Sequence, residues 1–571
     1  MARYFTPGVY FEQFDTSAGR ISAVRTDIPG FVGIAEKGPL DEPVKIESWK
    51  QFTTVFGGFT VQGYLAYAVY GFFENGGSTC YVTRAADRGK ASCAYWKLKD
   101  KNGANIAKVV SKTPGAWGNK TSINISRTGA GKFSLIVVCG DSREVFKDLT
   151  FDPSDRNRDY RPILKEKRYF ADDGVINHMS SLIRVEDLRV LPVVFPATPD
   201  DVFNMEQLAK GSFRLAEGKD GIATLEIFDL IGLKGDEEKR GLRCYEDVDA
   251  VSMVCIPDIM IRPAESIDYR QRPSGENEIN PCLPDKTEKA PLRVLLAAGD
   301  SMEQPPVFSE DDVFTAQLAM VEHCENLKDR FAVLDMPCFS DSLEKILEWR
   351  EKFDTSYAAM YYPWIKVENP LRFGGTFKML LPPSGHVAGV YARCDLKRGV
   401  HKAPANEKVF GAVDMVYEVD NTIQDILNPK GINCIRGFAG RGIMLWGART
   451  MSSRASWYFI NVRRLFMMIE ESVEEAMQWA VFESSNYHLW AVIRIAVSGF
   501  LEGLWRRGAL VGSVLSEAFY VKCDETTMTQ TDIDNGRLVV EIGVAPSIPA
   551  EFVVFRIGRV DEQMRVVEEF D

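Results

Sequence analysis

Apolar and polar positions fall into blocks of changing period along the chain. Phe31-Val32-Gly33-Ile34-Ala35 is an unbroken apolar run, the pattern of a buried strand. Ser48 stands where it can cap a short helix through Phe52. From Tyr64 to Glu74, the apolar residues Leu65, Ala68, Val69, Phe72 and Phe73 recur at helical spacing, and Asn75-Gly76-Gly77 ends that helix. Cys80-Tyr81-Val82 supplies the next strand. Residues 28–87 therefore predict an α/β arrangement.

The period changes between residues 90 and 200. Ala107 to Val110, Ser122 to Ile125 and Phe133 to Cys139 have the length of short strands, separated by Pro114-Gly115 and Gly129-Ala130-Gly131. Asp152 to Lys167 is polar and charged. The pattern predicts a mostly β insertion.

Alternation of strand and helix returns over residues 240–367. Strands are expected at Ala250 to Ile256, Phe331 to Leu334 and Tyr357 to Trp364, and helices at Asp311 to Leu327 and Ser340 to Phe353. That alternation implies a parallel sheet joined by crossovers. Residues 265–310, rich in Pro, Gly, Asn and Glu, predict a long surface loop.

The last unit has a strand at Ile443 to Trp446 and a long helix at Asn461 to Glu483. Val462, Leu465, Phe466, Ile469, Val473, Met477 and Val481 form the apolar stripe of that helix; Glu470, Glu471, Glu474 and Glu475 lie off it. Ser485 or Asn486 can cap a second helix that reaches Arg507 and ends at Gly508. Ala518 to Lys522, Leu538 to Ile542 and Phe552 to Ile557 predict strands.

Both ends carry short apolar segments. Tyr4, Phe5, Val9, Tyr10, Phe11 and Phe14 precede a loose Gly/Ser stretch, and Phe552-Val553-Val554-Phe555-Arg556-Ile557 lies near the other end. Each is too short to fold alone, so it pairs within its own subunit or adds to a neighbour's sheet edge. The expected organisation is an arm at 1–25, a core at 26–90, a variable insertion at 91–240, the second core part at 241–404, a C-terminal domain at 405–550 and a second arm at 551–571. The fold class is α/β in the core, within an α+β multidomain chain.

Length and composition narrow the function classes. A chain of 571 residues fits about three to four domains. With 45% hydrophobic and 26% charged residues, it is neither disordered nor fibrous. A formal net charge of −12 gives no global support to nucleic-acid binding. The N-terminal stretch lacks the apolar core of a signal peptide, and no uncharged apolar run is long enough to span a bilayer. The eleven cysteines are scattered without Cys-x-x-Cys spacing, as expected for buried thiols in a reducing compartment.

Candidate chemistry is sparse. Val251 to Asp258 and Phe331 to Asp335 each end a buried strand in an acid, as magnesium-binding strands of nucleotide hydrolases do. A phosphate loop of the form Gly-x-x-x-x-Gly-Lys-Ser/Thr is missing; Gly129-Ala130-Gly131-Lys132-Phe133 lacks the spacing and the hydroxyl. Gly437-Phe438-Ala439-Gly440-Arg441-Gly442 stands ahead of a strand, so it reads as a tight turn, not a dinucleotide loop. Ser384-Gly385-His386 reads as a polar loop without a nucleophile elbow. His178, His323, His386, His401 and His488 offer no metal spacing. No catalytic residue, cofactor or metal is expected. The Glu470–Glu475 cluster is either a solvated helix face or a docking face for a basic partner, and Arg494, Arg506 and Arg507 on the next helix carry the same ambiguity with opposite sign.

Several stretches, in order, resemble the sheath proteins of contractile phage tails and related injection systems. They are Tyr4-Phe5-Thr6-Pro7-Gly8-Val9-Tyr10-Phe11-Glu12 with Thr26-Asp27-Ile28-Pro29-Gly30-Phe31-Val32-Gly33; Phe72-Phe73-Glu74-Asn75-Gly76-Gly77 leading into Cys80-Tyr81-Val82; Pro382 to Gly389 with Gly399 to Asn406; and Trp446-Gly447-Ala448-Arg449-Thr450 with Asn461-Val462-Arg463-Arg464, Gln478 to Glu483, Ala518 to Asp524 and Val540 to Pro546. Residues 1–90 and 240–571 carry the likeness, and between them only Pro114 to Asn119 does. The resemblance implies a structural, non-enzymatic subunit, assembled in the cytoplasm. It would stack as six-membered rings around an inner tube protein, meet baseplate and terminator proteins, and contract, with no nucleic-acid partner and no membrane insertion. It implies that Val9, Tyr10, Phe11, Phe552, Val553, Val554, Phe555 and Ile557 are exchanged between subunits, and it makes Glu470, Glu471, Glu474 and Glu475 candidates for the tube contact. The 91–240 insertion would face outward. The competing classes are an unrecognised α/β enzyme centred on residues 240–367 and a tube or baseplate component.

Overall fold

In the computed structural model, the described residues are 21–551 except 100–104, 130–131, 141, 151–179, 188–212, 262–302, 339, 341 and 372–377. The expected arm strands, Val9 to Phe11 and Phe552 to Ile557, lie outside them.

The apolar runs assemble into a nine-stranded sheet. Its spatial order is Glu407–Lys408, Gly442–Trp446, Ile432–Phe438, Ala358–Tyr362, Phe331–Asp335, Met253–Cys255, Pro29–Gly33, Cys80–Arg84, Val44–Ile46. The six from Ile432–Phe438 to Cys80–Arg84 run parallel, and the three at the edges each pair antiparallel with the strand inside them. Pro29–Gly33, Met253–Cys255 and Phe331–Asp335 are buried at every position, which is why their sequences do not alternate.

From Pro29–Gly33 the chain crosses to one side through the helix Leu65–Glu74. From Met253–Cys255 it crosses to the other side through the helix Glu310–Leu327. Right-handed crossovers in opposite directions put these helices on opposite faces. Ser384–Arg398 joins Leu65–Glu74; a Cβ at Gly385 would lie 2.5 Å from the Ala68 Cα, so only glycine admits this approach. Leu343–Glu351 joins Glu310–Leu327, where Trp349 Nε1 donates to Gln317 Oε1 at 2.9 Å. The Ser309–Asp312 capping box starts the latter helix.

The insertion has its own sheets and core. One sheet runs Phe213–Arg214, Ser122–Gly129, Lys132–Cys139, Ser142–Thr150; the other runs Tyr95–Lys99, Asn105–Ser111, Ile183–Asp187. Trp117, Ile123, Leu135, Val137 and Leu182 form a cluster separate from the main core. A third cluster holds Leu465, Ile469, Trp490, Ile493, Val497 and Leu501, where the helices Ile460–Ala476 and Tyr487–Arg506 meet the strand pair Phe519–Lys522 and Glu541–Val544.

Several elements differ from the sequence expectation. The Ile443 to Trp446 strand, grouped by sequence with the last unit, belongs to the nine-stranded sheet. A hairpin from Ile432–Phe438 folds it back there. The glycine-rich run is the turn of that hairpin, so it follows one strand as well as preceding another. Gly440 and Gly442 there have φ of 76° and 84°. The long helix ends at Ala476, not Glu483; a short turn at Gln478–Ala480 follows, and Val481 is exposed rather than part of the stripe. Ser384-Gly385-His386 is the buried start of a helix, not a loop. The final described strand is Glu541–Val544, shifted from the expected Leu538 to Ile542. Cys80, Cys244, Cys255, Cys324, Cys394, Cys434 and Cys523 are buried thiols. Among the described residues, no helix is long and apolar enough to cross a membrane.

Candidate functional site

In a doubly wound sheet, the crevice for a ligand lies where strand order reverses, beyond the carboxyl ends. Here that point is between Pro29–Gly33 and Met253–Cys255, and the Asp258 carboxylate fills it. It accepts the Ile34 N–H at 2.6 Å and the Tyr64 N–H at the start of the helix Leu65–Glu74. A Cβ at Gly33 would lie 2.2 Å from Asp258 Oδ2. Asp335 does the same for the helix Ser384–Arg398, accepting the Ser384 N–H at 2.7 Å. Neither helix has a capping side chain of its own. The two strand-end acids are thus caps supplied from a distance, satisfying the positive helix ends that would otherwise attract a phosphate. Burial without a cation beside them pushes each carboxyl up to about 7.

Ser384 and His386 do not form a catalytic pair. Residues two apart on a helix point to different sides. His386 is buried against Gly71, and burial pushes its imidazole down to about 4, so it is neutral. Among the described residues, no three His, Cys, Asp or Glu side chains gather as a metal site.

The polar groups with the most structural consequence sit on the helix Ile460–Ala476. Asn461, Arg463, Arg464 and Ser472 are buried there although the helix is otherwise apolar inward. Arg464 pairs with Asp395 at 2.6 Å, with side chains only 3% and 5% exposed, and lies 4.7 Å from the Tyr391 ring centre. Arg464 Nη2 also donates to the Thr26 carbonyl at 2.7 Å, and the Thr26 hydroxyl donates to Asp395 at 2.8 Å. Two residues earlier, the Val24 N–H donates to Ser472 Oγ at 3.0 Å. The start of the described chain is therefore laid along this helix.

The end of the described chain returns to the same place. Asn461 Nδ2 donates to the Ser547 carbonyl at 3.0 Å and to the His401 carbonyl at 2.8 Å. The Ser547 N–H donates to the Ala509 carbonyl at 3.0 Å. Arg449, eleven residues ahead of the helix start, pairs with Glu551 at 2.5 Å. Both predicted arms thus leave from roots fixed on one helix and its approach. The periodicity did not show this; the signal was Asn461-x-Arg463-Arg464, strongly polar residues set into an apolar stripe.

The acidic candidates lie farther along the helix. Glu470, Glu474 and Glu475 are exposed, and Glu471 is half-buried. Burial first, then Asp329, lifts the Glu471 carboxyl to about 7. Among the described residues, none of the four forms an ion pair. Beyond them, the turn into the helix Tyr487–Arg506 exposes Trp479, Val481 and Phe482, and Asn486 caps the second helix by accepting the Leu489 N–H at 3.0 Å.

This architecture has known relatives. The phage tail sheath central domain matches residues 306–451, and the phage tail sheath C-terminal domain matches residues 452–558. Together these matches run over residues 306–558, a little under half of the chain. The tail sheath protein of Vibrio phage KVP40 is 28% identical over 177 residues, 30% of this chain and 26% of that protein. That of Salmonella phage ViI is 25% identical over 291 residues, 49% of this chain and 44% of that protein. The chain thus spans about a quarter of the first relative's length and under half of the second's. Among solved structures, the PVC sheath complex of an extracellular contractile injection system, in its contracted state, has a TM-score of 0.53 at 21% identity. It covers 99% of this chain and 100% of its own. The contracted helical sheath of the anti-feeding prophage has a TM-score of 0.52 at 21% identity, covering 97% and 99%. These two are likenesses of fold.

Proposed function

We propose that this chain is the sheath subunit of a contractile tail or injection particle. Its copies stack as six-membered rings around an inner tube and contract to drive that tube through a target envelope. The single observation that carries the reading is the run of both sheath domains over 306–558, on a fold shared with contracted sheaths over nearly the whole chain. A filled switch-point crevice fits a structural role better than the enzyme alternative.

In this reading the arm strands Val9 to Phe11 and Phe552 to Ile557 add to neighbouring subunits' sheets. The pair Phe519–Lys522 and Glu541–Val544, partly exposed, offers edges of the right kind. A repeated head-to-tail contact builds a helical filament rather than a closed dimer. Glu470, Glu471, Glu474 and Glu475 face the tube, where weak exposed ion pairs suit a contact that must release. The insertion faces outward, and baseplate and terminator proteins close the two ends of the stack. The particle is assembled in the cytoplasm.

Electron microscopy of the purified chain tests this. Hollow striated tubes, formed alone or with the inner-tube protein of the same particle, are the expected result. Monodisperse particles under both conditions would overturn it. Truncation after Glu551 should abolish polymerisation; intact polymers would remove the arm exchange from the reading.

A further inference from the structure

A cavity of about 230 Å3 is walled by three stretches of the chain. Arg350 comes from the last turn of Leu343–Glu351, and Lys430 and Gly431 come from the turn that leads into Ile432–Phe438. Arg449, Ser452 and Tyr458 come from the approach to Ile460–Ala476. The boundary between the matched central and C-terminal domains, after residue 451, falls within this wall. Gly431 holds φ at 77°, and a Cβ there would lie 2.5 Å from the Thr450 carbonyl oxygen and 3.4 Å from Arg350 Nη2, so only glycine fits.

Arg350 is the unusual member of the wall. It is 9% exposed, yet both of its bonds go to neutral acceptors: Nη1 donates to the Phe353 carbonyl at 2.6 Å and Nη2 to the Met451 carbonyl at 2.7 Å. Among the described residues, its Nε has no acceptor. The two nearest acids are engaged elsewhere. Glu351 pairs with Lys430 at 3.1 Å, and Asp354 accepts the N–H and the hydroxyl of Ser453. Arg449 is spent on Glu551 and the Asn428 carbonyl. The local charges, Arg350, Lys430, Arg449 and Arg454 against Glu351, Asp354 and Glu551, leave one cation in excess. A buried cation without its own counter-ion is costly, and most of this guanidinium's donors are unused.

We propose that this cavity binds a small oxyanion, inorganic phosphate or sulfate, held by the Arg350 guanidinium and the Lys430 ammonium. A planar guanidinium meets the oxygens of such an anion in pairs. The volume sets the class, because drug-sized ligands occupy pockets of about 300–1,000 Å3. The anion supplies the counter-ion that the chain does not, and it braces the core against the approach to the C-terminal helix. The site stands apart from the sheath reading, since a chain that never polymerises still tests it.

The experiment follows thermal melting of the full chain against inorganic phosphate, with chloride holding ionic strength constant. A rise in melting temperature that saturates is expected, because a ligand of the folded state alone stabilises that state. Lys430→Gln should weaken the apparent phosphate affinity at least fivefold with little change in phosphate-free melting. Arg350→Lys keeps the charge but loses the fork, and should weaken it further; if that variant does not fold, Lys430→Gln decides. Lys45→Gln removes a lysine equally exposed, at 51%, and equally paired with a glutamate, and should leave the response unchanged. A rise that does not saturate, or one that Lys430→Gln retains in full, would overturn the site. Adenosine monophosphate binding more tightly than phosphate would overturn the small-anion assignment.

Discussion

Arg449 holds the Glu551 carboxylate with two prongs, Nη2 2.5 Å from Oε2 and Nε 3.0 Å from Oε1, at the last described residue of the chain. Both side chains are mostly buried, at 16% and 17% exposure, so the pair is less screened than a surface bridge. Glu551→Ala should lower the unfolding free energy by about 1.5–3 kcal/mol, the range for hydrogen bonds to charged groups. The exchange Arg449→Glu with Glu551→Arg should recover part of it. Urea denaturation reads both, and an unchanged midpoint for Glu551→Ala would remove the pair from the account.

The Arg464–Asp395 pair is buried more deeply, and its loss should be worse. Asp395→Ala leaves Arg464 charged among Tyr391, Met253 and the Thr26 carbonyl. Breaking one side of such a pair costs about 3–5 kcal/mol. Replacing both partners by Leu should cost less than either single change, because no buried charge remains. A double variant as unstable as the sum of the singles would contradict this.

Asp258 gives a pH signature. Its carboxyl sits at about 7 in the folded chain against an ordinary value of 3.8, with burial as the main cause. Between those values the folded state holds more protons than the unfolded state, so stability from this group is full below pH 4 and falls as pH rises toward 7. Melting of Asp258→Asn beside the unmodified chain should show the gap moving in favour of the variant across that window and flattening above it. A gap constant from pH 4 to 8 would refute the assignment. Gly385→Val tests the same region sterically. It drives a branched side chain into the Ala68 backbone, and overpacking of this kind costs about 1–3 kcal/mol or more.

Much of the core was readable because its signals are local. Asn486, one of the two residues expected to, caps the second helix, and Leu65–Glu74, Glu310–Leu327 and Tyr487–Arg506 follow their periodicity within a residue or two. Ser384-Gly385-His386 was misjudged because its cap, Asp335, lies 49 residues away in sequence. No local pattern encodes an acceptor supplied from that distance. The long helix was extended too far because Met477 and Val481 keep the apolar spacing past Ala476, and periodicity does not register the break at Met477, where the backbone turns to φ −98° and ψ 2°. The acids at Glu470 to Glu475 were legible as a cluster. The buried polar set Asn461, Arg464 and Ser472 was not, since its partners Ser547, Asp395, Thr26 and Val24 converge only in the fold.

The convergence of Val24, Thr26 and Ser547 on Ile460–Ala476 makes that helix a tie bar. If the termini link neighbours as proposed, a pull would enter near Val24 and Thr26 and leave near Ser547, and the helix residues Ser472, Arg464 and Asn461 connect the two. The β insertion, with its own core, lies off that route. The nine-stranded sheet does not, because the chain runs from Thr26 straight into its strand Pro29–Gly33, so a pull on the N-terminal side would load the sheet and the tie bar together.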